Sequence, residues 1–196
     1  MSYTFIFIGR SGAGKGTQAP MLEESIKKID ATTDVVRMET GNIFRTFIKG
    51  DKWAQKKAKL ITDVGGLQPE FLTVNLWSTF FIEHFHEDVH IIVDGTPRKT
   101  FEATVLHGAF QFFEREKPIV VYLNVTKEWA MEKLRARKRN DDTESGIEKR
   151  LAWFDTDVLP TIEYYRHNPA YRFIEINGEK SVDEVHEEIL TRSGLK

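Results

Sequence analysis

The chain has 196 residues, 40% hydrophobic and 30% charged, which is enough for one sizeable core. A net charge of −2 argues against a body built to lie on a polyanion, so a basic cluster needs a local explanation. The absence of cysteine excludes disulfides, thiolate metal sites and thiol nucleophiles.

In chain order, the first residues, MSYTFIFIGR, carry an apolar run without a basic leader or small-residue cleavage site, so they do not read as a signal peptide. No segment approaches about 18 continuous apolar residues, and a soluble cytoplasmic protein without membrane contact is expected. Runs rich in β-branched or aromatic residues predict five strands, at 3–8 (YTFIFI), 34–39 (DVVRME), 89–94 (VHIIVD), 119–125 (IVVYLNV) and 171–176 (YRFIEI). The first, third and fourth are almost wholly apolar, as central strands covered on both faces are. Helical spacing at 16–29, 69–85, 101–116, 126–137 and 143–166 alternates with the strands and predicts a parallel sheet with right-handed crossovers. The interval 42–66 breaks that rhythm: two short helical stretches stand where a strand is due, which reads as a small insertion at one edge. The run DDTE from Asp141 reads as a helix N-terminus.

The first strand leads directly into 9–18, GRSGAGKGTQ. Gly9, Gly14 and Lys15 satisfy G-x-x-x-x-G-K between a strand and a helix, the context a phosphate-binding loop requires. The backbone N–H groups around Gly12, Ala13 and Gly14 can converge on phosphate oxygens, with the positive end of the next helix behind them. Lys15 adds a point charge for the β/γ-phosphates. Gly16 stands where Ser or Thr usually contacts Mg²⁺, which leaves Thr17 as the nearest hydroxyl.

GKGTQ after this loop resembles the adenylate kinase family of nucleoside monophosphate kinases. Four further segments match in order over nearly the whole chain: TGNIFR at 40–45, GGLQPE at 65–70, DGTPR at 94–98, and RNDD with KRL at 139–142 and 149–151. The resemblance implies a P-loop α/β fold, a three-layer sandwich around a five-stranded parallel sheet. It implies one domain over 1–196, with a monophosphate-binding insertion at 40–69 and a vestigial lid at 137–142. It implies transfer of the ATP γ-phosphoryl group to AMP, with Mg²⁺ as cofactor and a monomeric state.

Residue by residue, the resemblance makes Lys15, Arg98, Arg137, Arg139 and Arg150 catalytic, since arginine forks suit phosphate oxygens. ATP is expected at 12–17, Lys133 and Lys180; AMP at Thr40, Arg45, Gly66, Leu67, Gln68, Gly95, Arg98 and Glu102. Mg²⁺ is expected through water on Asp94, with Thr17. Asp141 and Asp142 are expected to orient arginines and cap the following helix, where negative charge meets the helix dipole.

Three departures from the family pattern stand out. Glu102 occupies the place of a Gln that reads adenine; an ionised carboxylate only accepts hydrogen bonds and suits the N–H donors of guanine. Lys133 replaces an arginine that stacks on the donor base. Only Lys138 separates Arg137 from Arg139, where the family carries its lid. A UMP/CMP- or GMP-preferring kinase and a non-catalytic nucleotide-binding module therefore remain as alternatives. Nucleic acid as the ligand of the cations at 133–139 is disfavoured, because the same residues align with a phosphate site. Histidines 84, 86, 90, 107, 167 and 186 show no metal-ligand spacing, and the Trp and Phe residues read as core rather than as a base-stacking platform.

Overall fold

The computed structural model describes residues 2–137 and 143–196. Five parallel strands, β1 (Thr4–Gly9), β2 (Asp34–Glu39), β3 (Val89–Asp94), β4 (Ile119–Asn124) and β5 (Arg172–Asn177), form one sheet in the order β2-β3-β1-β4-β5. β1 and β3, and β4 up to its last residue, are buried almost throughout, whereas the edge strands β2 and β5 alternate with exposed positions. This is the difference in apolar content that separated central from edge strands in the sequence.

Side chains alternate across each strand and fill two cores. On one face Phe5, Phe7, Val121 and Leu123 pack with Leu22 and Ile26 of α1 (Lys15–Ile29), Leu134 of α6 (Lys127–Arg137) and Val185 and Ile189 of α9 (Val182–Ser193). On the other, Ile6, Ile8 and Val120 pack with Trp77 and Phe81 of α4 (Glu70–His84), Leu106 and Phe110 of α5 (Thr100–Phe112) and Ile162 and Tyr165 of α8 (Leu159–Arg166). The result is a three-layer α/β sandwich. Two shorter helices, α2 (Thr40–Phe47) and α3 (Trp53–Asp63), lie between β2 and α4, where the strand–helix rhythm was broken.

The helix expected over 143–166 is α7 (Glu144–Trp153), a π-helical turn (Phe154–Val158) and α8. Pro160 explains the interruption: it has no N–H to return to residue 156, and its ring crowds that carbonyl, so the chain takes a wider turn just before it. The wide turn sets Asp155 3.2 Å from Arg10, whose guanidinium lies 3.9 Å over the Phe154 ring. The capping expected of Asp141 and Asp142 falls outside the described residues. The cap that is described is Thr143, whose Oγ1 accepts from the Gly146 N–H at 3.2 Å. Sequence reading had not marked α9, although a capping box announces it: Ser181 accepts from Glu184 N–H while the Glu184 carboxylate accepts from Ser181 N–H at 3.0 Å.

Candidate active site

Connections leave the sheet to one side of β1 through β2 and β3 and to the other through β4 and β5, so a crevice opens at the carboxyl end of β1. A cavity of about 740 Å³ occupies it. The loop after β1 forms its floor. Gly12, at φ +89°, passes so close to α6 that a Cβ would stand 2.7 Å from the Ala130 carbonyl oxygen, so only glycine lets the loop lie under the helix. α1 begins at Lys15 behind its cap Gly14, whose carbonyl takes the Thr17 and Gln18 N–H groups at 2.9 and 3.0 Å, so the Lys15 and Gly16 N–H groups come before the first helical bond.

Lys15 Nζ donates to the carbonyls of Gly9 and Arg10 at 2.8 Å each. Burial lowers its pKa from 10.5 to about 8, with nearby Asp94 opposing and Arg98 and Arg137 reinforcing the shift. Asp94, the last residue of β3, is 5% exposed, and burial pushes its carboxyl above the usual range against the pull of Lys15. Arg98 donates through Nε to the Gly95 carbonyl at 2.9 Å, and burial presses its pKa down while Glu102 and Asp94 hold it up.

On the β2–β3 side the wall is made by the start of α2, the 65–68 loop after α3, and α5. Thr40 is 3% exposed, lines the cavity, and its Oγ1 has no hydrogen-bond partner among the described residues. Arg45 lines the same wall and donates to Glu39 at 2.6 Å. Gly66, Leu67 and Gln68 line it too, but the Gln68 amide is directed into the insertion, donating to Ala58 O at 2.8 Å and Thr62 Oγ1 at 2.9 Å. Glu102 is 2% exposed, and its Oε2 accepts from the Arg98 N–H at 2.7 Å. Burial raises its pKa, with Arg98 acting against the rise.

α7 closes the wall. Arg150 lines the cavity from this helix, and Trp153 Nε1 donates to Gly65 O at 3.1 Å across it. Gly65, at φ +69°, runs so close to α7 that a Cβ would fall 2.6 Å from Gly146 O. The Arg98 guanidinium lies 5.2 Å from the Trp153 ring centre.

On the β4–β5 side stand α6 and the loop into α9. Trp129, Lys133 and Arg137 line the cavity from α6; Gly178 and Lys180 face them from the loop, with Lys180 donating to Glu188 at 2.8 Å. The expectation that the tryptophans are core is thus corrected. Trp77 is core, but Trp129 and Trp153 stand on the cavity wall and Trp53 is 75% exposed. The missed signal is helical spacing: 129, 133 and 137 share one stripe of α6. The structure therefore gathers every expected site residue it describes around one cavity; Arg139 lies outside the described residues.

The adenylate kinase family model matches residues 7–170. The chain belongs to the adenylate kinase family. Proteins named adenylate kinase are similar over almost their whole length. "Adenylate kinase 1" of a Nostoc species is 33% identical over 96% of this chain and 97% of its own. Those of Leptospira biflexa, at 31%, and Oenococcus oeni, at 30%, cover 94% and 93% of this chain and 96% and 94% of their own.

For an adenylate kinase the question of a metal turns on oxygen donors. Among the described residues no group of three or more His, Cys, Asp or Glu could cage an ion. Asp94 Oδ2 faces the start of α1, 3.9 Å from where a Cβ on Gly16 would stand, and Thr17 lines the same space. One carboxylate and one hydroxyl beside a phosphate cradle fit Mg²⁺, which keeps most of its water and takes phosphate oxygens. No helix among the described residues is long and apolar enough to cross a membrane.

Proposed function

We propose that this chain transfers the γ-phosphoryl group of ATP to AMP, giving two ADP. The observation that carries the reading is the placement of cationic side chains from separate elements (Lys15, Arg98, Arg137 and Arg150) around one cavity whose floor is a phosphate-binding loop. Two anionic substrates repel each other, and the task of such a site is to hold them in line and offset the charge that passes between them.

In this reading the loop N–H groups and Lys15 hold the donor β- and γ-phosphates, while Lys133 and Lys180 border its nucleoside. Arg45 and Arg98 hold the acceptor phosphate, Arg45 exchanging Glu39 for it, and Thr40 gives its unpartnered hydroxyl to the acceptor. Gly66, Leu67, Gln68 and Gly95 border the acceptor nucleoside. Arg137, Arg139 and Arg150 contact the group in transfer. Asp94 and Thr17 would hold Mg²⁺ through water, and the ion would neutralise charge on the donor phosphates. No side chain acts as base, because the attacking phosphate oxygen is already anionic. The enzyme is a cytoplasmic monomer in this reading, and residues 137–142 replace the family's lid.

One observation favours a second acceptor. Glu102 is buried on the acceptor wall, and in its ionised form it would accept from the N1–H and amino group of guanine. A coupled assay of ADP formation with AMP, CMP, UMP and GMP decides, run beside Lys15→Ala. AMP is expected to give the highest kcat/KM, with loss of at least about a hundredfold in the variant. GMP as the best acceptor would replace the first reading with the second, and no turnover with any acceptor would refute both.

A further inference from the structure

We propose that Trp129 is the stacking platform for the base of the nucleoside triphosphate donor, and that it makes the donor site tolerant of which base is bound. The inference deepens the kinase reading and rests on it. Trp129, Lys133 and Arg137 lie at i, i+4 and i+8 of α6 and line one side of the cavity. A helix rises 1.5 Å per residue, so the stripe spans about 12 Å. Its Arg137 end is close enough to the phosphate-binding loop to depress the Lys15 pKa. A triphosphate held on that loop runs its ribose and base away from the point of transfer. The acceptor wall closes the β2–β3 side, so the base falls on the β4–β5 side, at the Trp129 end of the stripe.

The indole is fit for that task. It is partly buried and packed against the core beneath α6, which fixes its orientation without covering it. The Lys133 ammonium sits 5.0 Å from the ring centre, marking a face open to a charged side chain and therefore to a ligand. Opposite it the loop offers the backbone of Gly178 and the Lys180 and Val182 positions. A base sliding onto the indole displaces Lys133 along the stripe towards the phosphates. Every base has a π-face, so stacking gives affinity with little base discrimination.

The test is steady-state kinetics of Trp129→Ala and Trp129→Phe with ATP, GTP and CTP as donors, together with tryptophan fluorescence titrated with each triphosphate and no acceptor. Wild type is expected to use the three donors with KM values within about tenfold of one another. Loss of stacking should raise donor KM about tenfold to a hundredfold in Trp129→Ala for all three. Acceptor KM and kcat should stay within about twofold, the pattern of lost uniform donor binding, and Trp129→Phe should recover most of the loss. Triphosphates should quench wild-type fluorescence, and most of that quenching should be lost in Trp129→Phe, the remainder coming from Trp153 on the same cavity. An unchanged donor KM in Trp129→Ala, or undiminished quenching in Trp129→Phe, overturns the platform; should the Ala variant not fold, the Phe titration decides. A preference for one donor above about a hundredfold overturns the tolerance. A wild type that quenches but makes no diphosphate with any acceptor fails the kinase reading while leaving the platform standing.

Discussion

Replacing Gly65 by Ala should leave this protein folded and remove most of its activity. The site is spanned at one point by backbone, where Gly65 meets Gly146 of α7. A Cβ on Gly65 would lie 2.6 Å from Gly146 O and 2.7 Å from its Cα, against an ordinary contact of 3.4 Å, so about 0.8 Å must open between loop and helix. The left-handed φ of +69° adds about 1 kcal/mol for alanine, and weakening the Trp153 Nε1–Gly65 O hydrogen bond adds about 1 more. A loss of about 2 kcal/mol lowers Tm by roughly 4–8 °C in a chain of this size and leaves it folded at room temperature. Activity responds differently. Arg150 rides on α7 and the acceptor wall on the 65–68 loop, and a displacement near 1 Å between reacting partners costs about a hundredfold.

A thermal melt beside steady-state kinetics separates the two effects, and ATP hydrolysis without acceptor reports water entry. The expected result is a small Tm loss, kcat/KM for transfer down about a hundredfold, and hydrolysis rising relative to transfer. Trp153→Phe is the graded companion: it removes the hydrogen bond but keeps a ring under Arg98, so the loss should stay within about tenfold. If Gly65→Ala melts early yet keeps wild-type kcat/KM, the contact serves the fold and not the site, and the reasoning fails.

Glu102→Gln should shift acceptor choice towards AMP over GMP by about tenfold or more in the ratio of kcat/KM, because an amide both donates and accepts at the adenine edge. The same variant should be more stable than wild type at neutral pH. Burial raises the Glu102 pKa, so the native state takes up a proton as pH falls and wild type recovers the difference on the acid side. Thermal melts showing the gap widening towards acid would contradict this. For Lys15 the sign is opposite: its ammonium, with pKa lowered to about 8, is charged below that pH and lost above it. Native stability should therefore rise between pH 8 and the ordinary 10.5, while kcat/KM for the donor falls about tenfold per pH unit above 8. A flat donor profile from about pH 7 to 9.5 would refute the role given to that charge.

What could be read beforehand divides by the range of the interaction. The strands were legible because β1 and β3 are buried on both faces and must be apolar throughout, and the loop at 9–18 because its glycines and Lys15 are contiguous. The contacts between Gly65 and Gly146 and between Trp153 and Gly65 join segments distant in the chain, and no local pattern encodes them. Arg45 reads as a phosphate ligand in TGNIFR, yet its pairing with Glu39 depends on how the end of β2 meets the first turn of α2. α9 was legible and missed, since Ser181 and Glu184 state its start.

The dense charge of 133–137 resolves along the same lines. Lys133 and Arg137 face the cavity on the Trp129 stripe, while Arg135 turns the other way and pairs with Glu144 of α7. One run of cations thus serves two purposes, separated by a helix period of 3.6 residues. The outward cation ties α6 to α7, and the inward pair lines the cavity. Any change that rotates α6 by a single residue would break this division, presenting Glu132 and Ala136 where Lys133 and Arg137 now stand. Inserting one alanine between Trp129 and Lys133 should therefore abolish phosphoryl transfer while leaving the core under the first turn of α6 in place. Such a variant retaining both its fold and its activity would show that the cations act by their number and not by their placement.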